Sequence, residues 1–443
     1  MSHLKAYLLC RFADHSSVFT SWMDQAPLQT VVIDEYLPDW QIPDDAGILI
    51  THMHYRWEEL TTLRRALQQD RVPILILADG ILEYRNTWEH PDLVDGSIFQ
   101  PLFGHKLACI GRAQARVVES WGNVGRCEVV GLPSLDQIDV DSIPEVNCSG
   151  VFRVLVATAN TPSFDQQQRD TVVQSLRQLK NWLAENPSVG GRPLEFVWRL
   201  SDGLESELGV GDDQDQEDRP PIGTVIENVD AVITTPSTLY LESVLRRRPT
   251  ALLDFHNSPQ YVNAAWTINA PHQVGTAISE LASPPPHKMM FQEFVLRDQL
   301  ECQTPATPRM LELIKSMVDA GSQARTTGNP VELMPRILED EQQGFTRVPE
   351  RFDASTLYPD NGVFQTLDRR RLEIELAAAV KRLEQLPYEL ADKNQYIAKL
   401  MRSLERSRER VEDMHNRIVA IRKRVGIDPP GPAVDSARIE DDQ

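Results

Sequence analysis

Residues 231–255 read AVITTPSTLYLESVLRRRPTALLDF. An apolar run ends in Thr234, Thr235, Ser237 and Thr238, with Pro236 between them. A helix-like stretch carrying Glu242 follows, and Pro249 opens a second apolar run ending near Asp254. Strand, polar turn, helix, strand is the βαβ unit of a parallel sheet. In open sheets of this kind ligands bind outside the carboxyl ends of the strands. A helix N-terminus there offers free N–H groups and a positive dipole end. The hydroxyls beside it suit a diphosphate, and Glu242 suits the two hydroxyls of a ribose. The same residues also read as a plain helix N-cap, for which Ser and Thr are common.

The pattern extends outward in both directions. Upstream, "FRVLVATANTPSFD", the helix "QQQRDTVVQSLRQLKNWLAEN" and the strand "LEFVWRL" belong to the same α/β domain. Further upstream, "LKAYLLC", "TVVID", "GILIT", "VPILILA", "KLACI" and "CEVVG" alternate with amphipathic stretches such as "RWEELTTLRRALQQD" and "RAQARVVESWG". Such alternation predicts a second parallel sheet. "GLPSLDQIDVDSIPEVNCSG" breaks the pattern and is expected to connect the two. The expected organisation is residues 1–145 as a first Rossmann-like domain and 150–345 as a second. "SPPPHK" reads as a surface loop, and residues 321–365 as loop-rich with weak helices.

The last segment has another period. Leu376, Leu383, Leu390, Ile397, Leu404, Val411, Ile418 and Val425 are spaced by seven. Four residues before each stand Leu372, Ala379, Leu386, Lys393, Leu400, Ser407, Met414 and Ile421, an a/d pattern over eight heptads. Residues 369–426 are therefore expected to form a helical coiled coil, kinked or broken at Pro387, and 427–443 a disordered tail. The flanks complicate self-pairing. A parallel pair sets Arg417 against Arg422 of its partner, and an antiparallel pair also brings like charges together. Residues 402–426 hold eight Lys/Arg and four Asp/Glu. Weak self-pairing is expected, with an acidic helix, an anionic membrane surface or the protein's own acidic body as better partners; a homodimer is the alternative.

The totals narrow the function class. At 443 residues the chain exceeds one ordinary core. A net charge of −20 disfavours general nucleic-acid binding. Five scattered cysteines without a CxxC argue against a disulfide framework or zinc site and for a reducing, cytoplasmic setting. No apolar run reaches the roughly 20 residues of a membrane span. His52 and His54 follow a strand at i, i+2, but no third metal ligand is evident. His105 reads as structural, and the acidic "DDQDQED" at 212–218 lacks EF-hand spacing. No Walker A loop, GxGxxG or Ser-His-Asp pattern is apparent.

"NVDAVITTPSTLYLESVLRRRPTALLDFHNSPQY" resembles the nucleotide-sugar region of glycosyltransferases with the two-Rossmann, GT-B arrangement. Asp230, Ser237, Thr238, Glu242, Pro249 and Asp254 match its order, and "CEVVGLPSLDQI" is similar to the interdomain VxGxPxxD of capsule and teichoic-acid type transferases. The resemblance covers roughly residues 1–320. It implies two Rossmann-like domains facing a cleft, and a nucleotide-sugar donor as substrate with no cofactor or metal. It also implies a glycan or lipid-linked acceptor, and a place in surface polysaccharide assembly, cytoplasmic or peripheral at the inner membrane face. By resemblance Arg199 faces the donor phosphates, with Thr158, Asn160, Thr235, Ser237, Thr238, Glu242 and His256 around the donor. The sequence departs from the pattern in two places. Arg199 is not followed by His-Pro, and Thr158, Asn160 and Thr161 replace a basic residue in their turn.

The acceptor side falls to the first domain. "VPILILADGILEYRN" places Asp79 and Gly80 directly after a strand, where related families often show His-Gly. Asp79 is thus the candidate base, joined by Glu83, with Gly80, Arg85 and Asn86 on the acceptor side; a turn Asp before Gly is the plain reading. Two other functions stay open. One is a sugar-nucleotide 2-epimerase on the same plan. The other is a noncatalytic transferase-fold scaffold that recruits partners through its coiled coil.

Overall fold

The structure is a computed structural model that describes residues 4–9, 17–33, 37–93, 97–140, 142–143, 150–210, 219–338 and 362–425. The acidic loop at 212–218, the tail at 427–443, Cys10 and Cys148 lie outside the described residues. The chain divides into two units, Met1–Phe352 and Asp353–Gln443.

All six expected strands of the first lobe form: β1 (Lys5–Leu9), β2 (Gln29–Ile33), β3 (Ala46–Thr51), β4 (Ile74–Leu77), β5 (Lys106–Cys109) and β6 (Cys127–Val129). They pair in parallel in the order β2-β1-β3-β4-β5-β6. Strands β3, β4 and β5 are buried at every residue. Covered on both faces, they read as unbroken apolar runs rather than as alternation. Helices α1 (Ser17–Met23), α2 (Trp57–Gln69), α3 (Tyr84–Trp88) and α4 (Arg112–Ser120) fall in the connections.

The second lobe repeats the plan with β7 (Phe152–Ala157), β8 (Ser188–Val189), β9 (Arg192–Arg199), β10 (Ala231–Thr234), β11 (Thr250–Leu253) and β12 (Trp266–Ile268), in the order β12-β11-β10-β7-β9-β8. All neighbours are parallel except the β8–β9 hairpin. Strands β8 and β12 have two and three residues, too few to leave a pattern in the sequence. The helices are α5 (Gln166–Glu185), α6 (Leu204–Leu208), α7 (Ile222–Glu227), α8 (Leu239–Leu245), α9 (Val274–Ala282), α10 (Pro286–Gln299) and α11 (Ala306–Thr327). Helix α5 starts at Asp165, whose carboxylate accepts the Gln168 N–H at 2.8 Å. Its Val172, Val173, Leu176 and Leu179 enter the core with the apolar residues of β7 and β10.

Two loop expectations are corrected. "SPPPHK" is not all loop, because α10 begins at Pro286, where the missing N–H costs no helical bond. Residues 321–327 continue α11, which ends at Gly328 with φ 78°. The sequence puts α11 after the second sheet, yet it packs on the first. Met310, Leu313, Ile314 and Met317 share a core with Leu8, Ile48, Ile50 and Leu77. A buried ion pair fastens the segment beyond it. Lys106 Nζ lies 2.6 Å from Glu128 and donates to the Pro335 carbonyl at 3.0 Å. Glu128 in turn accepts the N–H groups of Ile337 and Leu338 at 2.9 and 3.1 Å. The chain thus passes from the first lobe to the second and returns.

The second unit contains α12 (Gly362–Val425), a helix of 64 residues. Pro387, expected to kink or break it, lies inside one helix.

Candidate functional site

In the second sheet β9 and β10 lie on opposite sides of β7. The chain therefore reverses its direction of travel between β7 and β10, and the ends of these two strands form the switch point where open α/β sheets bind ligands. The turn after β7 carries Thr158 and Asn160; the turn after β10 carries Thr235, Ser237 and Thr238. Thr235 Oγ1 accepts the Ala159 N–H at 2.8 Å and so stitches the turns together. Thr158 Oγ1 accepts the Ser201 N–H at 2.9 Å. Thr234 and Ser237 place their hydroxyl oxygens 3.2 Å apart. Asn160 is exposed at the rim. A threonine oxygen that accepts one N–H keeps its own hydrogen to donate. Thr158 and Thr235 are so fixed without being consumed, whereas Thr234 donates to the Thr235 carbonyl at 3.0 Å and leaves Ser237 to donate to Thr234.

The expected helix N-terminus contributes less. Helix α8 has seven residues, and its N-cap Thr238 makes no side-chain capping bond. Instead Thr238 Oγ1 accepts the Ile81 N–H from the first lobe at 3.2 Å. Gly80 faces the same oxygen so closely that an added Cβ would lie 2.0 Å from it. Glu242 is not an isolated acceptor either. It pairs with Arg246 at 3.0 Å, and Arg246 also reaches Glu227 at 3.3 Å. Burial raises the Glu242 pKa, and Arg246 opposes that rise.

Arg199 ends β9 but turns to a different place. Its guanidinium donates to the Pro220 carbonyl at 2.9 Å and lines a cavity of about 490 Å³ with Trp198, Arg219 and Asn228. That cavity is not lined by the Thr235–Thr238 turn. Burial, then the neighbouring Arg219, holds the Arg199 pKa below the ordinary guanidinium value. The guanidinium that reaches the β7 turn comes from the first lobe. Arg85 is buried and donates to the Pro162 carbonyl at 3.0 Å.

Arg85 belongs to a cross-lobe cluster. Its Nε lies 2.7 Å from Glu83 Oε1, while Glu83 Oε2 caps α3 by accepting the Asn86 N–H at 2.7 Å. Both oxygens of Glu83 thus have structural partners, a reason in the structure to treat it as a cap. Asp254 and His256, after β11, face Arg85. Burial raises the Asp254 pKa and Arg85 counters it. His256 is lowered to about 4, first by burial and then by Arg85, so it is neutral at pH 7. Its Nε2 is buried with no hydrogen-bond partner among the described residues. Trp88 to Tyr261 (2.7 Å) and Gln168 to Glu89 (3.0 Å) add further lobe-to-lobe bonds.

Asp79 remains exposed at the end of β4. Its charge helps to push the Tyr55 phenol up to about 12, after burial. Asp79, Tyr55, His52, Asn86 and Gln114 line a small cavity of about 30 Å³, room for a water rather than a sugar. His54 is buried beside this region, bonded to the Ile98 carbonyl, and lowered to about 4 by burial. His105 is structural, accepting the Ile74 N–H at 3.0 Å and meeting Asp70 at 3.1 Å. Among the described residues no group of three His, Cys, Asp or Glu could hold a metal ion. No helix among them is long and apolar enough to cross a membrane.

Two parallel sheets joined by a returning helix, with the switch point of the second facing the first, match solved structures. S. aureus MnaA, in a co-structure with UDP, aligns over 71% of this chain and 97% of its own, at a TM-score of 0.50 and 12% identity. The fold is of the GT-B type. A putative UDP-N-acetylglucosamine 2-epimerase from Listeria monocytogenes aligns over 75% of this chain and 100% of its own (TM-score 0.48, 11% identity). The wall teichoic acid polymerase TagF aligns over 72% and 90% (TM-score 0.45, 12% identity). No protein-family model matches the chain, and no curated protein does.

Sequence reasoning missed how the motifs are used. Asp136, the acid of the "VxGxPxxD" stretch, caps α11, its two oxygens accepting the Ala306 and Thr307 N–H groups at 2.7 Å each. Gly131 of the same stretch has φ 96°, and a Cβ there would lie 2.7 Å from the Glu301 carbonyl oxygen. Asp136 is explained by the distant α11, and Gly131 by its own backbone together with the close approach of Glu301.

Proposed function

We propose that the chain is a glycosyltransferase of the GT-B type, moving a sugar or related group from a nucleotide-activated donor to a glycan or lipid-linked acceptor in surface polysaccharide assembly. One observation carries the reading. The exposed Asp79 stands one residue before Gly80, which meets Thr238, so the backbone that carries this carboxylate abuts the hydroxyl turn of the other lobe. In this reading Thr158, Asn160, Thr235 and Ser237 hold the donor diphosphate and Glu242 the ribose. Arg85, fixed at the β7 turn, supplies positive charge there. Asp79 takes the proton of the acceptor hydroxyl as its oxygen bonds to the anomeric carbon. The bond from that carbon to the diphosphate oxygen breaks, and the hydroxyl donors receive the developing charge. A lipid-linked acceptor would bring the protein to the inner membrane face as a peripheral component.

The test has two stages. Thermal shift with UDP, GDP, CDP and CMP should raise Tm with at least one nucleotide. Nucleotide release from the matching sugar donor, with a glycan acceptor, should then follow. No shift with any nucleotide rejects the donor site; epimer formation without transfer replaces the reaction by an epimerisation.

A second reading, a noncatalytic scaffold, has one observation behind it. With the lobes in contact, the cavity beside Asp79 is about 30 Å³. Nucleotide binding without release or epimer formation is its signature.

A further inference from the structure

The apolar seam of α12 has no cover among the described residues of its own unit. Leu376, Leu383 and Leu404 are 66%, 64% and 66% exposed, and Leu390, Ile397, Val411 and Ile418 are between 46% and 63%. A seam repeating every seven residues matches the surface of another helix with the same repeat. What remains is which helix, and in which direction.

We propose that α12 pairs along its length with α12 of a second copy running in the opposite direction, with Ile397 of one chain beside Leu400 of the other. The seam residues and the charges beside them decide the direction. In a parallel, in-register pair each d residue meets itself, so Lys393 would stack on Lys393 of the partner, burying two like charges. Antiparallel pairing sets a against d: Leu376 meets Ile421, Leu383 meets Met414, Leu386 meets Val411, and Lys393 meets Leu404. The lysine stem then covers apolar surface while its charge reaches solvent.

The flanking charges, which over the basic end alone were expected to weaken self-pairing in either direction, favour the antiparallel one once the whole helix is counted. The e and g positions are acidic near the start of the helix (Glu373, Glu375) and basic near its end (Arg408, Arg410, Arg417, Arg422, Arg424). Parallel pairing brings basic to basic, as at Arg417 and Arg422. In the antiparallel register e faces e and g faces g, so Glu373 meets Arg422 and Glu375 meets Arg424, each contact occurring twice by symmetry. One like pair remains, Arg382 with Arg417, and Arg417 is already held by Asp413 at 2.8 Å. Pro387 sits at an e position, beside the seam and not in it. The acidic helix expected as partner for the basic end is thus the beginning of the same helix in a second chain.

The experiment uses the full chain in sedimentation equilibrium. The wild type should dimerise at low salt and dissociate as salt screens the cross-pairs. Arg422→Glu with Arg424→Glu should weaken the dimer by about ten-fold or more. Adding Glu373→Arg and Glu375→Arg to that chain should restore it. All four positions are exposed, so the variants keep the fold. A parallel dimer would respond in the opposite sense, because Arg422→Glu would remove the repulsion on Arg417. A wild-type monomer, a dimer tightened by Arg422→Glu, or one indifferent to it overturns the proposal.

Discussion

The turn after β4 and the turn after β10 are counterparts. Each ends a buried strand, each runs into a short helix, and they meet where Gly80 faces Thr238. Their bonding differs. In the acidic turn Glu83 gives one oxygen to Arg85 and the other to the Asn86 N–H. In the hydroxyl turn Thr235 and Thr238 each accept one backbone N–H and keep a hydrogen. A carboxylate only accepts, and here each oxygen of Glu83 already holds a structural bond; a hydroxyl that accepts one bond still has its hydrogen to offer.

The contrast can be broken most sharply at Asp79, the acid that the turn leaves exposed. Asp79→Asn should lower turnover by at least about 100-fold with donor affinity near normal. Glu83→Gln should cost mainly stability. Steady-state kinetics on both variants decides it, and equal losses of turnover would place the two acids in one catalytic unit. Next comes Glu242→Ala, which should weaken nucleotide-sugar binding by about 1–3 kcal/mol. Calorimetric titration measures this, and unchanged affinity leaves Glu242 as the partner of Arg246 alone.

The contact between the turns is tested by Gly80→Ala, whose added Cβ meets Thr238 Oγ1. Crowding of this kind should cost about 1–2 kcal/mol, and Thr238→Ala in the same chain should recover part of it. Urea denaturation of the four species gives the coupling; strict additivity would show that the turns do not touch in solution.

The smallest effect at neutral pH concerns His54 and His256, both held near pKa 4. Unfolded histidine titrates at about 6.5. Above that value both states are neutral and the fold keeps its full stability. As pH falls from about 6.5 towards 4 the unfolded chain binds protons first, and stability drops. Tm followed through that window should decline, and His256→Gln should flatten its share of the slope.

Much of this was legible in the sequence. The buried strands announced themselves because parallel strands covered on both faces are mostly apolar, Lys106 in β5 being an exception held by Glu128, and the hydroxyl turn because its residues are contiguous. Other features were not, because each depends on residues far apart in the chain. Arg85 finds Pro162, Asp136 finds Ala306, and Arg199 turns to Pro220 instead of towards the hydroxyl turn. Periodicity reports which face of an element is buried and says nothing of what buries it. For the same reason α11 read as part of the second lobe: its amphipathic pattern is the same whichever sheet it covers. Pro387 was placed inside α12 from the sequence, and the helix runs through it without a break.

The return of α11 has a mechanical consequence. Covalent chain joins the lobes twice, once at 131–150 and again at 299–306. Beside the second crossing stand Asp136 on the α11 N-terminus, Arg112 on Glu301 at 3.0 Å, and the Glu301 N–H on the Ile110 carbonyl at 2.8 Å. Two covalent links hold the lobes together where one would tie them at a single place. The bonds of Thr238 to Ile81 and Arg85 to Pro162 add further ties between them.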